Sequence, residues 1–249
     1  MAKTYRQITV TAGALQKRIL IPVVRGGTKE ARAAKKKLSD PGLQARNGRH
    51  SWEKLEMQLA ANYDTHDLWL TLTVADEAAL TKKQRTALAK KFIAALRALR
   101  RSKKRELRCH WVWENDLGRG RWHLHIVLNS TGDDLDDIRS CWELGEFELE
   151  PLRVDGGEWT YERLARYMCK ERDPDKKPGL HTWHHTRNIH YPEIEEILVE
   201  ADETLQAPRG SVVLETVRKS NRFGRMEYLK LFFPHASASP RARRKKRRR

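Results

Sequence analysis

His123, Leu124 and His125 place two imidazoles two residues apart, and in an extended strand two such residues share one face. With ten histidines in the chain, about 0.4 H-x-H triplets arise by chance, so the triplet gains its weight from its context. Leu117-Gly118-Arg119-Gly120 suits a tight hairpin loop between two apolar runs. With that loop Asp116 faces Arg121, Glu114 stands opposite His123, and Val112 stands opposite His125 on the same face. Two neutral imidazole nitrogens and one carboxylate oxygen form an open ligand set for a divalent cation, with positions left for phosphate oxygens and water. The other face of the hairpin carries Trp111, Trp113, Leu124, Ile126 and Leu128, an apolar set that predicts the core side.

Tyr167 and Lys170 lie about forty residues downstream, three apart on a helix predicted from about Thr160 to Arg172, so both project from one face. A tyrosine hydroxyl ordinarily titrates near 10. It becomes a useful nucleophile when a cation neutralises the phosphate it attacks and nearby positive charge stabilises the phenolate. Tyr161 stands six residues earlier, roughly 240° around the helix, which predicts a single tyrosine at the site.

These groups must be held by strands and helices that the sequence also marks. Leu68, Leu70, Leu72 and Val74 alternate with Trp69, Thr71 and Thr73 as in a half-buried strand. From Thr81 to Lys104 the apolar residues Leu88, Phe92, Leu96 and Leu99 recur at helical spacing, with Lys90, Lys91, Arg97, Arg100, Arg101, Lys103 and Lys104 between them. The basic face of this helix is either solvated or in contact with a polyanion. Strands follow over Leu107 to Asp116 and Arg121 to Asn129. Next come a helix over Asp133 to Leu144 with Thr131 as its expected cap and a strand over Glu146 to Val154. The mixture predicts an α+β fold: a central antiparallel sheet of about five strands flanked by helices. Residues 1–66, with β-like stretches at Gln7 to Thr11 and Arg18 to Val24 and a helical pattern from Ser51 to Tyr63, read as an N-terminal extension packed on the core. Residues 67–235 read as the main domain with a C-terminal elaboration, and 236–249 as a disordered basic tail.

At 249 residues the chain can bury one substantial core. Its net charge is +17, and the last nine residues hold eight of the positive charges, leaving +9 on the rest. Such a balance favours a polyanion, nucleic acid first. Cys109, Cys141 and Cys169 are odd in number and unpaired in spacing, which argues against a disulfide framework and a zinc ribbon and fits a reducing cytoplasm. No secretion signal and no apolar run of spanning length is legible, so no membrane partner is expected.

Taken together, these motifs resemble the HUH superfamily of Rep proteins, especially initiators of small phages and plasmids. Trp69-Leu70-Thr71-Leu72-Thr73 is similar to the family's first motif, Glu114 through Gly118-Arg119 to His123-Leu124-His125 to its metal-binding second, and Tyr167-Met168-Cys169-Lys170 to its catalytic Y-x-x-K. Trp142-Glu143-Leu144-Gly145 and Thr186-Arg187-Asn188-Ile189 are similar to secondary landmarks of phage-type members, and the resemblance runs from about residue 47 to 233. It implies an HUH endonuclease/RRM-like fold and a rolling-circle replication initiator that nicks and rejoins single-stranded DNA at an origin hairpin or nick site. It further implies Mn²⁺ or Mg²⁺ held by His123, His125 and Glu114, attack by Tyr167 assisted by Lys170, and a 5′-phosphotyrosine intermediate. A tyrosine downstream of the H-x-H fits Rep proteins and related transposases better than conjugative relaxases. The chain carries no G-x-x-x-x-G-K-[ST], so a host helicase and a host polymerase are the expected partners, in the cytoplasm, or in the nucleus of a eukaryotic host.

Two alternatives stay open on the sequence. One is an HUH-type single-strand transposase using the same residues. The other is a non-catalytic basic protein that stacks bases on Trp111, Trp122 and Trp142. His181, His184, His185 and His190 form a second histidine cluster that matches no strong ligand spacing. The tail from Arg241 to Arg249 suits either a nuclear localisation signal or a sequence-independent DNA anchor.

Overall fold

A computed structural model describes residues 4–23, 41–75, 80–115, 121–152, 160–170 and 183–234, with the side chains of the first helix described from residue 48 onward. The expected hairpin loop at 117–120 with Asp116, the residues His181 and Val154, and the basic tail lie outside the described residues. The chain divides into two compact units. One comprises 47–56 and 62–189, the other 1–46, 57–61 and 190–249.

In the first unit five antiparallel strands run in the order β6-β3-β5-β4-β7. They are β3 (Leu68–Thr73), β4 (Cys109–Glu114), β5 (His123–Leu128), β6 (Phe147–Pro151) and the short edge strand β7 (His184–His185). The sheet is flanked by α2 (Lys82–Ser102) and α3 (Asp134–Cys141), and α4 (Glu162–Met168) completes the unit. This is the α+β arrangement expected, an antiparallel five-stranded sheet with helices, consistent with an HUH/RRM-like fold. The two faces divide as the alternation predicted. Leu70, Leu72, Leu124, Ile126 and Leu128 form one cluster with Phe92, Ile93 and Leu96 of α2 and with Ile138, and Trp111 and Trp113 are packed against it. The opposite face keeps Trp69, Thr71, Glu114, His123 and His125.

Helix α2 begins at a complete capping box, Thr81 with Gln84, which satisfies two otherwise orphaned backbone groups. Its buried stripe is Ala89, Phe92, Ile93, Leu96 and Arg100. Arg100, grouped by the sequence with the solvated cations, is fully buried because its guanidinium donates to Asp134 and to the carbonyl of Asn129. Asp134 also replaces Thr131 as the organiser of the α3 start: its carboxylate accepts from the backbone N–H of Thr131 and Gly132 and from the Ser130 and Thr131 hydroxyls. Burial pushes the Asp134 carboxyl up, and these hydrogen bonds outweigh that and hold it below its usual range.

Gly145 precedes β6 where the chain crosses β3 closely. A Cβ there would stand 2.4 Å from the Thr73 carbonyl oxygen, and at this crossing the Thr73 and Ala75 N–H groups donate to the carbonyls of Glu146 and Leu144.

The second unit holds another antiparallel five-stranded sheet, in the order β8-β1-β2-β10-β9. Its strands are β1 (Tyr5–Ala12), β2 (Leu15–Pro22), β8 (Glu193–Val199), β9 (Val212–Asn221) and β10 (Gly224–Phe232). Tyr5, Leu20, Leu205, Leu229 and Leu231 are its main buried cluster. A smaller cluster, Ala12 and Leu15 with Met57 and Ala61, involves the last part of α1 (Pro41–Asn62). The N-terminal strands were legible locally, but their pairing of β1 with β8, nearly two hundred residues away, was not.

Candidate metal and phosphoryl-transfer site

Strand β4 pairs with β5 in the register that sets Glu114 opposite His123 and Val112 opposite His125. Strand β3 pairs with β5 on the other side, setting Thr71 opposite His125 and Thr73 opposite His123. Sheet parity therefore delivers Glu114, His123, His125 and Thr71 to one face near the strand ends. Glu114, His123 and His125 each offer a ligand atom, and these atoms lie within 4.8 Å of one another. Among the described residues this is the one such grouping of three or more metal-ligating side chains.

His125 Nε2 stands 3.1 Å from Glu114 Oε2. Two adjacent ligands in an octahedral shell of radius about 2.1 Å are separated by about 3.0 Å, so the pair is spaced for a small hard cation. Burial pushes the His125 imidazole below its ordinary pKa, against the opposing pull of Glu114, which favours the neutral ring that can ligate. Thr71 Oγ1 lies 3.1 Å from His125 Nδ1, so a proton kept on Nδ1 leaves the Nε2 lone pair facing the cluster. The Trp69 ring stacks on His125, with centroids 5.0 Å apart and planes at 16°. Trp69 and Thr71 were placed on the correct strand by the sequence but not given a part in the site. Their signal was strand parity, and it becomes usable once β3 is known to pair with β5.

Helix α4 supplies the hydroxyl. Tyr167 Oη is 3.2 Å from Glu114 Oε2 and 3.1 Å from His125 Nε2. The helix ends sooner than its spacing suggested, at Met168, with Cys169 as its cap, so Lys170 lies just beyond it rather than on its face. Lys170 still reaches the site: Nζ is 2.9 Å from Glu114 Oε1 and 4.4 Å from the centre of the Tyr167 ring. Each oxygen of Glu114 thus has a different partner, Lys170 on one and the tyrosine and imidazole on the other. The structure brings all five sequence-selected residues together: His123, His125, Glu114, Tyr167 and Lys170.

Tyr161 is buried at the start of α4, and its hydroxyl donates to the Tyr63 carbonyl oxygen at 2.7 Å. Of the second histidine group, His184 and His185 form strand β7 beside Trp111 and His110, while His190 falls in the other unit. Trp142 is 5 % exposed, sits edge-on to Phe92 and donates to the Thr73 carbonyl, so it is a core residue rather than a base platform.

Residues 67–172 match a family model of replication-associated proteins, the ORF2 type. The matched stretch contains β3 with Trp69 and Thr71, the Glu114–His123–His125 cluster, Tyr167 and Lys170. No curated protein and no solved structure matches the chain.

Proposed function

We propose that the chain is a replication initiator that nicks and rejoins single-stranded DNA through Tyr167. The observation that carries this reading is the position of Tyr167 Oη, within 3.2 Å of both Glu114 Oε2 and His125 Nε2. A nucleophile placed at the atoms that would hold a cation can reach a phosphate bound to that cation. The family match to replication-associated proteins supports the biological setting and favours replication over transposition.

His123, His125 and Glu114 would hold Mn²⁺ or Mg²⁺, which when bound supplies positive charge to the scissile phosphate. Tyr167 Oη then bonds to phosphorus as the bond from phosphorus to the 3′ oxygen breaks. The tyrosine proton leaves through the basic groups around Oη, and the departing 3′ oxygen takes up a proton. The phosphate stays on the 5′ side as a phosphotyrosine ester, and attack by a 3′-hydroxyl reverses the step and rejoins the strand. Lys170 supports the developing phenolate charge from above the Tyr167 ring and fixes the Glu114 carboxylate. Tyr161, committed to the Tyr63 carbonyl, takes no part, so the enzyme works with one tyrosine. Unwinding is left to a host helicase and synthesis to a host polymerase.

The test is incubation of the protein and its Tyr167→Phe variant with single-stranded oligonucleotides tiled across its own replicon, with Mn²⁺ or EDTA, on denaturing gels. A covalent adduct that needs metal and disappears in the variant is the expected result. Binding without any adduct across the tiles would replace this reading with the non-catalytic one.

A further inference from the structure

Strands β9 and β10 form a hairpin whose turn, Arg222 and Phe223, closes the pair Asn221–Gly224. From Arg218 to Arg225 the tip holds Arg218, Lys219, Arg222 and Arg225 with no acidic residue. The opposite edge of the same sheet, β8, carries Glu193, Glu195 and Glu196. The positive charge is therefore a local feature of the tip rather than a general property of the sheet.

The tip is held stiff from below. Gly224 has φ +141°, and a Cβ there would stand 2.6 Å from the Tyr5 hydroxyl, so only glycine fits. The same hydroxyl accepts from the Arg225 backbone N–H at 3.1 Å, and the Asn221 side chain accepts from the Phe223 N–H at 2.8 Å. Arg225 is spent on the fold, its guanidinium paired with the buried Glu227 at 2.8 Å and bonded to the Glu203 carbonyl. Arg218 lies farther from the same carboxylate, at 3.8 Å, and keeps most of its side chain in solvent. Arg218, Lys219, Ser220, Asn221 and Arg222 are exposed, and Phe223 is 46 % exposed with the Arg222 guanidinium 4.6 Å from its ring centre. An aromatic ring held out from a rigid backbone among solvated cations costs solvation and gains little in the folded chain.

We propose that this tip is a second DNA-binding element, in which Arg218, Lys219 and Arg222 take the backbone phosphates of single-stranded DNA and Phe223 stacks on a base. Cations along a backbone with an aromatic platform between them are the combination that single strands reward, because every base has a flat face and every nucleotide a charge. The rigid base of the hairpin limits the ordering that binding would otherwise cost.

The test uses the full chain, tail included, on a Tyr167→Phe background and measures fluorescence anisotropy with a labelled mixed-sequence single-stranded oligonucleotide between about 50 and 200 mM salt. Replacing Arg218, Lys219 and Arg222 together by Ala is expected to lower the slope of log affinity against log salt by about 2 to 3. Arg222→Glu alone, at an exposed turn position, moves it in the same direction. Phe223→Ala is expected to weaken binding about fivefold or more with the slope unchanged, and Phe223→Trp to restore it. Unchanged slopes in the triple and Arg222→Glu variants would overturn the phosphate contacts, and equal affinity of Phe223→Ala and the parent would overturn the stacking. The outcome is independent of the nicking reading. An adduct formed by the unmodified chain beside unchanged slopes sinks only the hairpin, while altered slopes without any adduct sink only the nuclease.

Discussion

The finest control at the site lies one hydrogen bond behind the ligands. Thr71 Oγ1, 3.1 Å from His125 Nδ1, fixes which imidazole nitrogen faces Glu114 and Tyr167. Thr71→Val keeps the shape and loses that bond, so we expect Mn²⁺ affinity to fall by about ten- to a hundredfold, with Thr71→Ser near the parent. Calorimetric titration with Mn²⁺ checks this, and equal affinity of the valine variant would remove Thr71 from the site. A second residue sets a pH limit on the fold. His110 is fully buried on β4, bonded to the Tyr63 hydroxyl at 2.9 Å, and burial with the neighbouring His185 brings its pKa down from 6.5 to about 3. Because the folded-state value lies below the unfolded one, the unfolded chain takes up the proton first. The stabilisation is whole above 6.5, falls as pH drops through 6.5, and goes on falling to about 3. At pH 5 the loss from His110 alone is about 2 kcal/mol, read by urea unfolding at pH 7 and pH 5. Stability that is flat or rising toward pH 5 would contradict it.

At the scale of elements, much of the first unit could be read from periodicity alone. The alternation of β3, the H-x-H strand and the amphipathic α2 each follow from where apolar residues recur, and the β4–β5 register followed from one hairpin loop. What resisted reading was set by partners distant in sequence. Arg100 looked like another solvated cation until Asp134 and the Asn129 carbonyl stood around it. The end of α4 at Met168 could not be seen because Lys170 reaches Glu114 from either side of that boundary. Gly145 is the reverse case, a residue quoted for its resemblance whose physical reason is now visible: it lets the β6 entry approach the Thr73 carbonyl. Gly145→Ala forces these backbones apart at the strand that carries Thr71, so we expect a loss of about 1 to 3 kcal/mol. Chemical denaturation measures it, and a change within a few tenths of a kcal/mol would mean that the crossing relaxes freely.

The whole molecule is two sheets, each with its own buried cluster: Leu70, Leu124, Ile126, Phe92 and Leu96 in one, Tyr5, Leu20, Leu229 and Leu231 in the other. The second sheet was hidden in the sequence because its strands come from both ends of the chain, and short β-like stretches carry no record of what they pair with. Both sequence ends belong to one unit, which leaves the other nearly continuous from 47 to 189. That stretch contains all five strands of the site sheet, α2, α3 and α4, and every residue of the Glu114–His123–His125–Tyr167–Lys170 group. A unit with its own closed set of backbone pairings and its own core can fold alone. The cost falls on the Met57–Ala61 segment of α1, which loses the Ala12 and Leu15 side chains packed against it. We therefore expect a fragment of residues 47–189 to unfold cooperatively in urea and to bind Mn²⁺ within a few-fold of the full chain, while losing affinity for single-stranded DNA with the hairpin and the tail. A fragment that shows no cooperative transition would mean that the site sheet depends on the second unit for its stability.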